Sequence, residues 1–271
     1  MSEEVAKRSE AARRKIVRRR QRRIRRVIVI LMAVLAVLAV FSLGRYLGSE
    51  KDALELQLTG SIDGVAYPES LVELYERNEE ARDFVLGYGD YKGNPEDISV
   101  KKEVKKGEIP LFLQWDKRWG YELYGNDFIA VTGCGPTCLA MVYCGLTGDT
   151  SQNPYTVAWR AVAEGYYVEG SGTSWSMMEE LAEDMGLTVD TVPFDEEHIL
   201  QELQDNHPII CVVGPGDFTA NGHYIVLCGV DRDGMIEIRD PNSPQNTKEK
   251  WELGTIMKQT RNLWGYGVSG D

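Results

Sequence analysis

Cysteine and histidine are scarce in this chain of 271 residues, which holds five cysteines and three histidines. Domains held together by disulfides need a denser, even set of cysteines, so such a scaffold is excluded and at least one thiol is unpaired. Cys134, Cys138 and His223 offer three zinc ligands, but no fourth occurs at the usual spacing and Cys138 opens an apolar run. We therefore expect neither a metal nor a cofactor.

Positive charge is scarce beyond the first 26 residues. Twelve of the 30 basic residues lie within those 26, together with three of the 42 acidic residues, so the rest of the chain has a formal net charge of −21. A surface of that sign excludes nucleic acid as its ligand and favours a neutral or basic partner.

One long uncharged run, from Val27 to Gly44, lies between Arg26 and Arg45. As a helix it spans about 27 Å, close to the thickness of a bilayer core. The basic flank predicts a cytoplasmic N-terminus and an extracellular C-terminal domain. A basic tail can instead bind nucleic acid or anionic lipid, and the segment Ala39 to Phe41 loosely resembles a signal-peptide cleavage site. Since the apolar core of a signal is usually only about 7 to 15 residues, we predict an uncleaved single-pass anchor.

The pattern predicts four segments. These are a basic cytoplasmic tail (1–26), a transmembrane helix (27–44), an extracellular spacer (45–108) and a main domain (109–271). Within the spacer we expect a helix over 68–77, a short strand or docking arm near 84–88 and a solvated linker over 90–107.

In the main domain the predicted helices come first and most strands come last. We predict helices over 137–144, 154–164, 176–185 and 196–204, and strands over 187–192, 209–213, 224–228 and 235–239. Regular alternation of strand and helix is missing, so a parallel sheet is disfavoured. The fold class is α+β, with a helical lobe against an antiparallel sheet.

Cys134 is the strongest candidate for a reactive group. It lies in the segment VTGCGPTCLAM, from Val131 to Met141, with a glycine on each side. Glycines adjoin a residue where the backbone turns tightly or approaches a ligand closely. The partial positive charge at the N-terminus of a helix favours a thiolate. Pro136 suits the first turn of that helix, because its missing N–H would have no hydrogen-bond partner there. The other four cysteines fall in apolar stretches and are expected to be buried.

His223 and Asp240 supply the partners that a thiol nucleophile needs. His223 opens one strand and Asp240 closes the next, each about eight residues from the turn at Asp231–Gly234. A hairpin brings both to the same end of the ladder, so Asp240 can hold one nitrogen of the imidazole. Asn242 is the alternative orienter, and an ordinary turn at Asp-Pro-Asn is the competing interpretation.

These segments, with QWDKRWG from Gln114 to Gly120, resemble the peptidase C39-like family of papain-type proteins. The resemblance covers roughly Ile109 to Trp264 and an arm from Tyr67 to Tyr88. It implies a papain-like fold in which Cys134 is the nucleophile, His223 the general base and Asp240 its orienter. Its motifs are more specific for the fold than for a substrate.

One position departs from the resemblance. Bacteriocin-processing members of the wider group carry a glutamine six residues before the cysteine, where this chain has Phe128. Gln114 is then the candidate oxyanion donor, together with the Cys134 backbone N–H, although a polar residue at a strand edge explains it equally well. Because the chain has no Walker A loop and a single apolar span, it is not the peptidase arm of an export transporter.

The sequence therefore predicts a membrane-anchored extracytoplasmic cysteine peptidase, acting on a peptide or protein through an acyl-enzyme. A papain-like acyltransferase uses the same residues. A catalytically inactive module that binds peptide or cell-wall material, and an acidic interaction protein that docks a basic partner, are the alternatives from other classes. The anchor and the acidic exterior suggest a bacterial cell surface.

Overall fold

The computed structural model describes residues 2–91 and 98–268, with side chains from residue 27 onward. It divides into two compact units, Met1–Gly64 and Val65–Asp271. The side chains of the predicted basic tail and residues 92–97 of the predicted linker lie outside the described part.

The first unit is dominated by one helix, α1 (Ser2–Thr59), followed by the short strand β1 (Ser61–Ile62). Gly60, at φ 64°, ends the helix and donates its N–H to the Leu56 carbonyl at 2.8 Å. The predicted spacer is thus helical as far as Thr59, because the stretch after Gly48 consists largely of good helix formers.

Among the described residues, one helix is long and apolar enough to cross a membrane, over Val27–Thr59. Its large apolar side chains between Val27 and Leu43 are between 48% and 72% exposed. A signal sequence near an N-terminus meets the same criteria of length and composition. By length and composition this helix is a candidate for a membrane anchor or a signal.

The second unit opens with a helical arm. It comprises β2 (Val65–Ala66), α2 (Glu69–Arg77), a 3₁₀ turn (Glu79–Ala81), α3 (Arg82–Leu86) and a second 3₁₀ turn (Gly87–Asp90). Of the two alternatives expected near 84–88, the strand is wrong and the docking arm fits: the segment is helical and buries Phe84 and Val85. Phe84 stacks on Tyr121 with ring centroids 4.2 Å apart, and Tyr121 donates its hydroxyl to the Phe84 carbonyl at 2.5 Å. The arm is thereby packed onto the rest of this unit.

The remaining elements follow in chain order. They are β3 (Leu123–Tyr124), β4 (Asp127–Phe128), α4 (Ile129–Thr132), α5 (Cys134–Thr147), α6 (Pro154–Ala163), β5 (Tyr167–Val168), β6 (Gly172–Thr173), a 3₁₀ turn (Trp175–Met178), α7 (Glu180–Asp184), β7 (Leu187–Thr191), α8 (Glu196–Gln204), β8 (Ile209–Val213), β9 (His223–Val230), β10 (Ile236–Arg239), α9 (Pro244–Lys248), α10 (Leu253–Gln259) and β11 (Thr260–Val268).

A five-stranded antiparallel sheet forms the centre, in the order β10-β9-β8-β11-β7. Every residue of β8 is buried, as expected of a central strand covered on both faces. Alternate side chains enter two cores: Ile210 and Val212 pack with α5, α6 and α7, whereas Ile209 and Cys211 pack with α8 and α10. The predicted α+β class is confirmed, with helices on both faces of the sheet.

Local capping explains two of the predicted helix starts. Asn153 accepts from the Thr156 N–H before α6, and Asp195 accepts from the His198 N–H before α8. The helix expected over 176–185 is instead a 3₁₀ turn followed by α7. Helix α5 runs three residues beyond the predicted stop and ends at Gly148, at φ 75°, where only glycine adopts the left-handed conformation without strain.

Candidate active site

Cys134 is the first residue of α5, a helix of 14 residues, and Gly133 precedes it as the N-cap. A Cβ at Gly133 would lie 2.6 Å from the Ile129 carbonyl oxygen, and one at Gly135 would lie 2.6 Å from the Thr173 hydroxyl oxygen. Both contacts are too close for any side chain, so each neighbour of the thiol must be glycine. The thiol is partly buried and faces the positive end of the helix dipole.

His223 is the first residue of β9 and pairs with Val213 of the central strand. Its side chain is 6% exposed, and its Nε2 lies 2.7 Å from Oδ1 of Asp240, which is 1% exposed. A buried carboxylate at this distance is best satisfied when Nε2 carries a proton and donates it. The other ring nitrogen, Nδ1, is then available for a hydrogen bond with Cys134.

Asp240 follows β10 directly and is held by three further hydrogen bonds. Its Oδ1 accepts the Asn242 backbone N–H at 2.8 Å, its Oδ2 accepts from Nδ2 of Asn246 at 2.8 Å, and its own N–H donates to the Thr247 hydroxyl at 2.9 Å. A buried carboxylate with this many donors is fixed in direction and remains ionised. We call residues 240–248 the Asp240 loop.

The electrostatics of the three groups favour an ion pair. Burial raises the pKa of Cys134, but a hydrogen bond from His223, the charge of His223 and the backbone N–H groups of Tyr224 and Gly135 outweigh it and lower the pKa. Burial disfavours a charged His223, yet the charge and hydrogen bond of Asp240 raise its pKa to about 10. Burial likewise raises the pKa of Asp240, and the charge of His223 and its hydrogen bonds bring it below the usual value. Together these shifts favour the form of the pair in which Cys134 is a thiolate and His223 an imidazolium.

A cleft of about 780 Å³ opens onto the thiol and the imidazole. Tyr167 and Trp175 contribute aromatic walls, and the charged residues that line the cleft are Arg77, Arg261, Asp127 and Glu169. Cys134 and His223 thus both lie in the wall of one cleft.

The sequence model of one protein family, described as "Peptidase_C39 like family", matches residues 106–268 of this chain. The chain belongs to the Peptidase_C39 like family. Among solved structures it is similar to the peptidase domain of Streptococcus ComA, described as a bi-functional ABC transporter involved in a quorum sensing pathway. That likeness has 20% sequence identity and a TM-score of 0.39, and it covers 51% of this chain and 93% of the other. No curated protein matches the chain significantly.

In this C39-like domain Gln114 is hydrogen-bonded to residues that neighbour the catalytic candidates in sequence, Ala130 and Pro241. Its side chain is 3% exposed and its Nε2 donates to the Ala130 carbonyl at 2.8 Å, just before α5. Its backbone N–H donates to the Pro241 carbonyl at 2.8 Å. Its Oε1 has no hydrogen-bond partner among the described residues. Gln114 thus bridges the segment before Cys134 and the Asp240 loop, but it is not among the residues that line the cleft.

Asn242, the alternative orienter, faces away from the imidazole. Its Oδ1 accepts from Nδ2 of Asn78 at 2.9 Å, and its carbonyl accepts from Asn78 and from Nε1 of Trp115. The backbone N–H of Asn242 donates to Asp240. Its side chain points toward the arm. Asp240 is the residue that the structure brings to His223.

Sequence reasoning missed Asn246 and Thr247, which fix the Asp240 carboxylate and backbone. Ser243 followed by Pro244 is a helix-start signal, and Ser243 does cap α9 by accepting the Asn246 N–H. That signal predicts a helix here. It does not indicate that Asn246 on this helix faces Asp240, because the contact depends on how the loop folds back.

Of the four other thiols in this C39-like domain, Cys138, Cys144 and Cys211 are buried as expected, whereas Cys228 is only partly buried because it lies in the less covered second half of β9. Cys138, one turn after Cys134, is fully buried, and its Sγ donates to the Tyr224 carbonyl at 3.3 Å. Burial raises its pKa well above the usual thiol range. A thiol in this state packs as a small apolar group.

Proposed function

We propose that this chain is a membrane-anchored cysteine peptidase that cleaves peptide bonds outside the cytoplasm through a Cys134–His223–Asp240 acyl-enzyme mechanism. The observation that carries the proposal is the buried hydrogen bond of 2.7 Å between His223 and Asp240, beside a thiol whose pKa is lowered at a helix start. Family membership supports the chemistry at the level of a peptidase.

In the proposed mechanism the Cys134 thiolate attacks the scissile carbonyl carbon and forms a C–S bond. The tetrahedral intermediate collapses, the C–N bond breaks, and the imidazolium of His223 gives its Nδ1 proton to the leaving amine. The neutral imidazole then takes a proton from a water molecule that attacks the thioester. On collapse, the C–S bond breaks, the acid product leaves and the thiolate–imidazolium pair is restored.

Asp240 has a positioning role in this proposal. Its hydrogen bond to Nε2 keeps the ring oriented with Nδ1 toward Cys134, and its charge stabilises the imidazolium. The Asn242 N–H and the Asn246 amide keep the carboxylate from rotating away. Together they maintain the ion pair before substrate arrives.

Gln114 is the proposed oxyanion donor, together with the Cys134 backbone N–H, and this role requires its buried amide to reach the cleft, which Gln114 does not line in this structure. One Nε2 hydrogen of Gln114 is committed to the Ala130 carbonyl, which leaves the second for a developing oxyanion. Removing one such donor typically costs about 10²- to 10³-fold in turnover. A Gln114→Ala variant with unchanged turnover of a peptide substrate would contradict this role.

The site is tested with a peptide-based, cysteine-reactive inhibitor and the full-length protein in detergent. We expect one adduct, on Cys134, that is abolished by Cys134→Ala. Prolonged incubation with peptide mixtures should yield new amino termini, and added amine should not replace water in the products. Adducts without turnover would favour the inactive binding module, and amide products would favour an acyltransferase.

The anchor is supported by the exposed apolar side chains of α1 and by the dense positive charge that precedes them. We expect the intact chain in the membrane fraction, with its C-terminal domain open to protease added outside the cell. A shortened, soluble form with a new N-terminus after Phe41 would instead identify a cleaved signal.

A further inference from the structure

The middle of the arm contacts the loop that carries the triad carboxylate. From the arm, Asn78 donates its Nδ2 to the Asn242 carbonyl at 3.0 Å and to Asn242 Oδ1 at 2.9 Å. Glu80 accepts the Gln245 backbone N–H at 2.9 Å and also binds the Ser243 hydroxyl. The partners are 163 to 165 residues apart in sequence, so these contacts exist only in the folded chain.

The hydrogen bonds continue from the loop to the imidazole. Ser243, bound by Glu80, caps α9 by accepting the Asn246 N–H at 3.0 Å. Asn246 then donates its side-chain amide to Asp240 Oδ2 at 2.8 Å, and Asp240 holds Nε2 of His223 at 2.7 Å. Each member of this series is wholly or partly buried. Bonds of this kind are stronger than in water, and each fixes the direction of the next group.

The family match begins at residue 106 and therefore does not include the arm. We propose that Asn78 and Glu80 of the arm are positioning residues of the active site, which fix the Asp240 loop and thereby the orientation of Asp240 toward His223. This inference rests on the proposed function, since it assigns the arm a part in the same triad. It makes the arm a functional segment of the enzyme rather than a spacer.

Two substitutions separate this role from local folding of the arm. Asn78→Ser does not change the charge. It keeps a side-chain oxygen that can accept the Glu80 N–H, which Asn78 accepts at 3.0 Å, but it removes the amide group that donates to Asn242. Glu80→Gln keeps one acceptor oxygen and loses the charge. The matched control is Glu79→Gln, which removes the same charge one residue away, from a side chain that is 82% exposed and forms an ion pair with Arg82.

The test measures the rate at which iodoacetamide alkylates Cys134 in the full-length protein in detergent, as a function of pH. We expect Asn78→Ser to slow the reaction at neutral pH about tenfold, as is typical of losing a group that orients a reactive centre. The pH at half-maximal rate should rise, because a less aligned Asp240 stabilises the imidazolium less. Glu80→Gln should lie between this variant and wild type, and Glu79→Gln should match wild type.

A melting curve for each variant shows whether it is folded under the assay conditions. If the Asn78→Ser variant is unfolded, the pH profile of the Glu80→Gln variant alone provides the test. An activated wild-type Cys134 with unchanged pH profiles in both variants would overturn the positioning role and leave the proposed function standing. A wild-type Cys134 that reacts no faster than a free thiol would overturn the proposed function, and the positioning role with it.

A double-mutant cycle on the alkylation rate provides a second test of the positioning role. If the arm acts through Ser243 and Asn246, combining Glu80→Gln with Asn246→Ala should slow alkylation by much less than the product of the two separate effects. Multiplicative effects would show that the two residues act independently and would contradict the proposed series of contacts.

Discussion

His223 Nε2 lies 2.7 Å from Asp240 Oδ1, and neither side chain is more than 6% exposed. Removing either partner leaves the other buried without its counterpart, which is costly in a low-dielectric interior. The pair therefore fixes the ring orientation on which the proposed chemistry of Cys134 depends.

Asp240→Asn should abolish most of the reactivity. The amide keeps the shape of the carboxylate but not its charge, so the pKa of His223 falls and the thiolate loses its stabilising partner. We expect labelling of Cys134 by a peptide-based inhibitor to slow about 10²- to 10⁴-fold. Asp231→Asn is the control, because it makes the same change in the turn of the same hairpin. Equal rates in the two variants would exclude a role for Asp240.

The pH dependence should show two different limits. Alkylation of Cys134 should continue below the usual thiol range, since its pKa is lowered, and should fall only at more acidic pH as the thiolate is protonated. Peptide turnover also needs the imidazolium as an acid, so it should be lost as pH rises through about 10, the pKa of His223. Stopped assays across pH with both reagents test this. A thiol that titrates in the ordinary range contradicts it.

Cys134 should be the one thiol of the native protein that reacts at neutral pH. Burial raises the pKa of Cys138 well above its usual value, those of Cys144 and Cys211 to about 12, and that of Cys228 to about 11. Iodoacetamide followed by peptide mapping should find a single modified site in native protein and five in denatured protein. A second rapid site in native protein would contradict this assignment.

Gly125→Ala should destabilise the domain by roughly 2 to 4 kcal/mol, from backbone strain and overpacking together. Gly125 has φ 67°, and a Cβ there would lie 2.1 Å from Cζ of Tyr167, whose side chain lines the cleft. Gly165→Ala is the control, with φ 87° and open space around its Cβ, and should cost about 1 to 2 kcal/mol. Denaturant unfolding compares the two, and equal losses would contradict the contact with Tyr167.

Local signals account for what the sequence predicts well. The glycines around Cys134 reflect close contacts of the backbone, and the alternating strands from His223 and toward Asp240 set the hairpin that joins them. Turn residues and apolar periodicity act over a few positions, so they are readable in one chain.

Long-range contacts account for what the sequence does not predict. Nothing near Asn78 or Glu80 indicates that they meet residues more than 160 positions away. The strand expected at Phe84 is a helix because its apolar side chains pack against Tyr121, which short apolar runs do not specify. The direction of the Asn242 side chain depends on Asn78 in the same way.

The most direct test of the account compares labelling of Cys134 in full-length wild-type protein and in His223→Ala, by mass spectrometry after exposure to a peptide-based, cysteine-reactive inhibitor at neutral pH. The account predicts one rapid adduct on Cys134 in wild type and its loss in His223→Ala. Equal labelling of the two proteins, or a Cys134 no more reactive than a free thiol, would contradict an activated thiolate and with it the proposed peptidase.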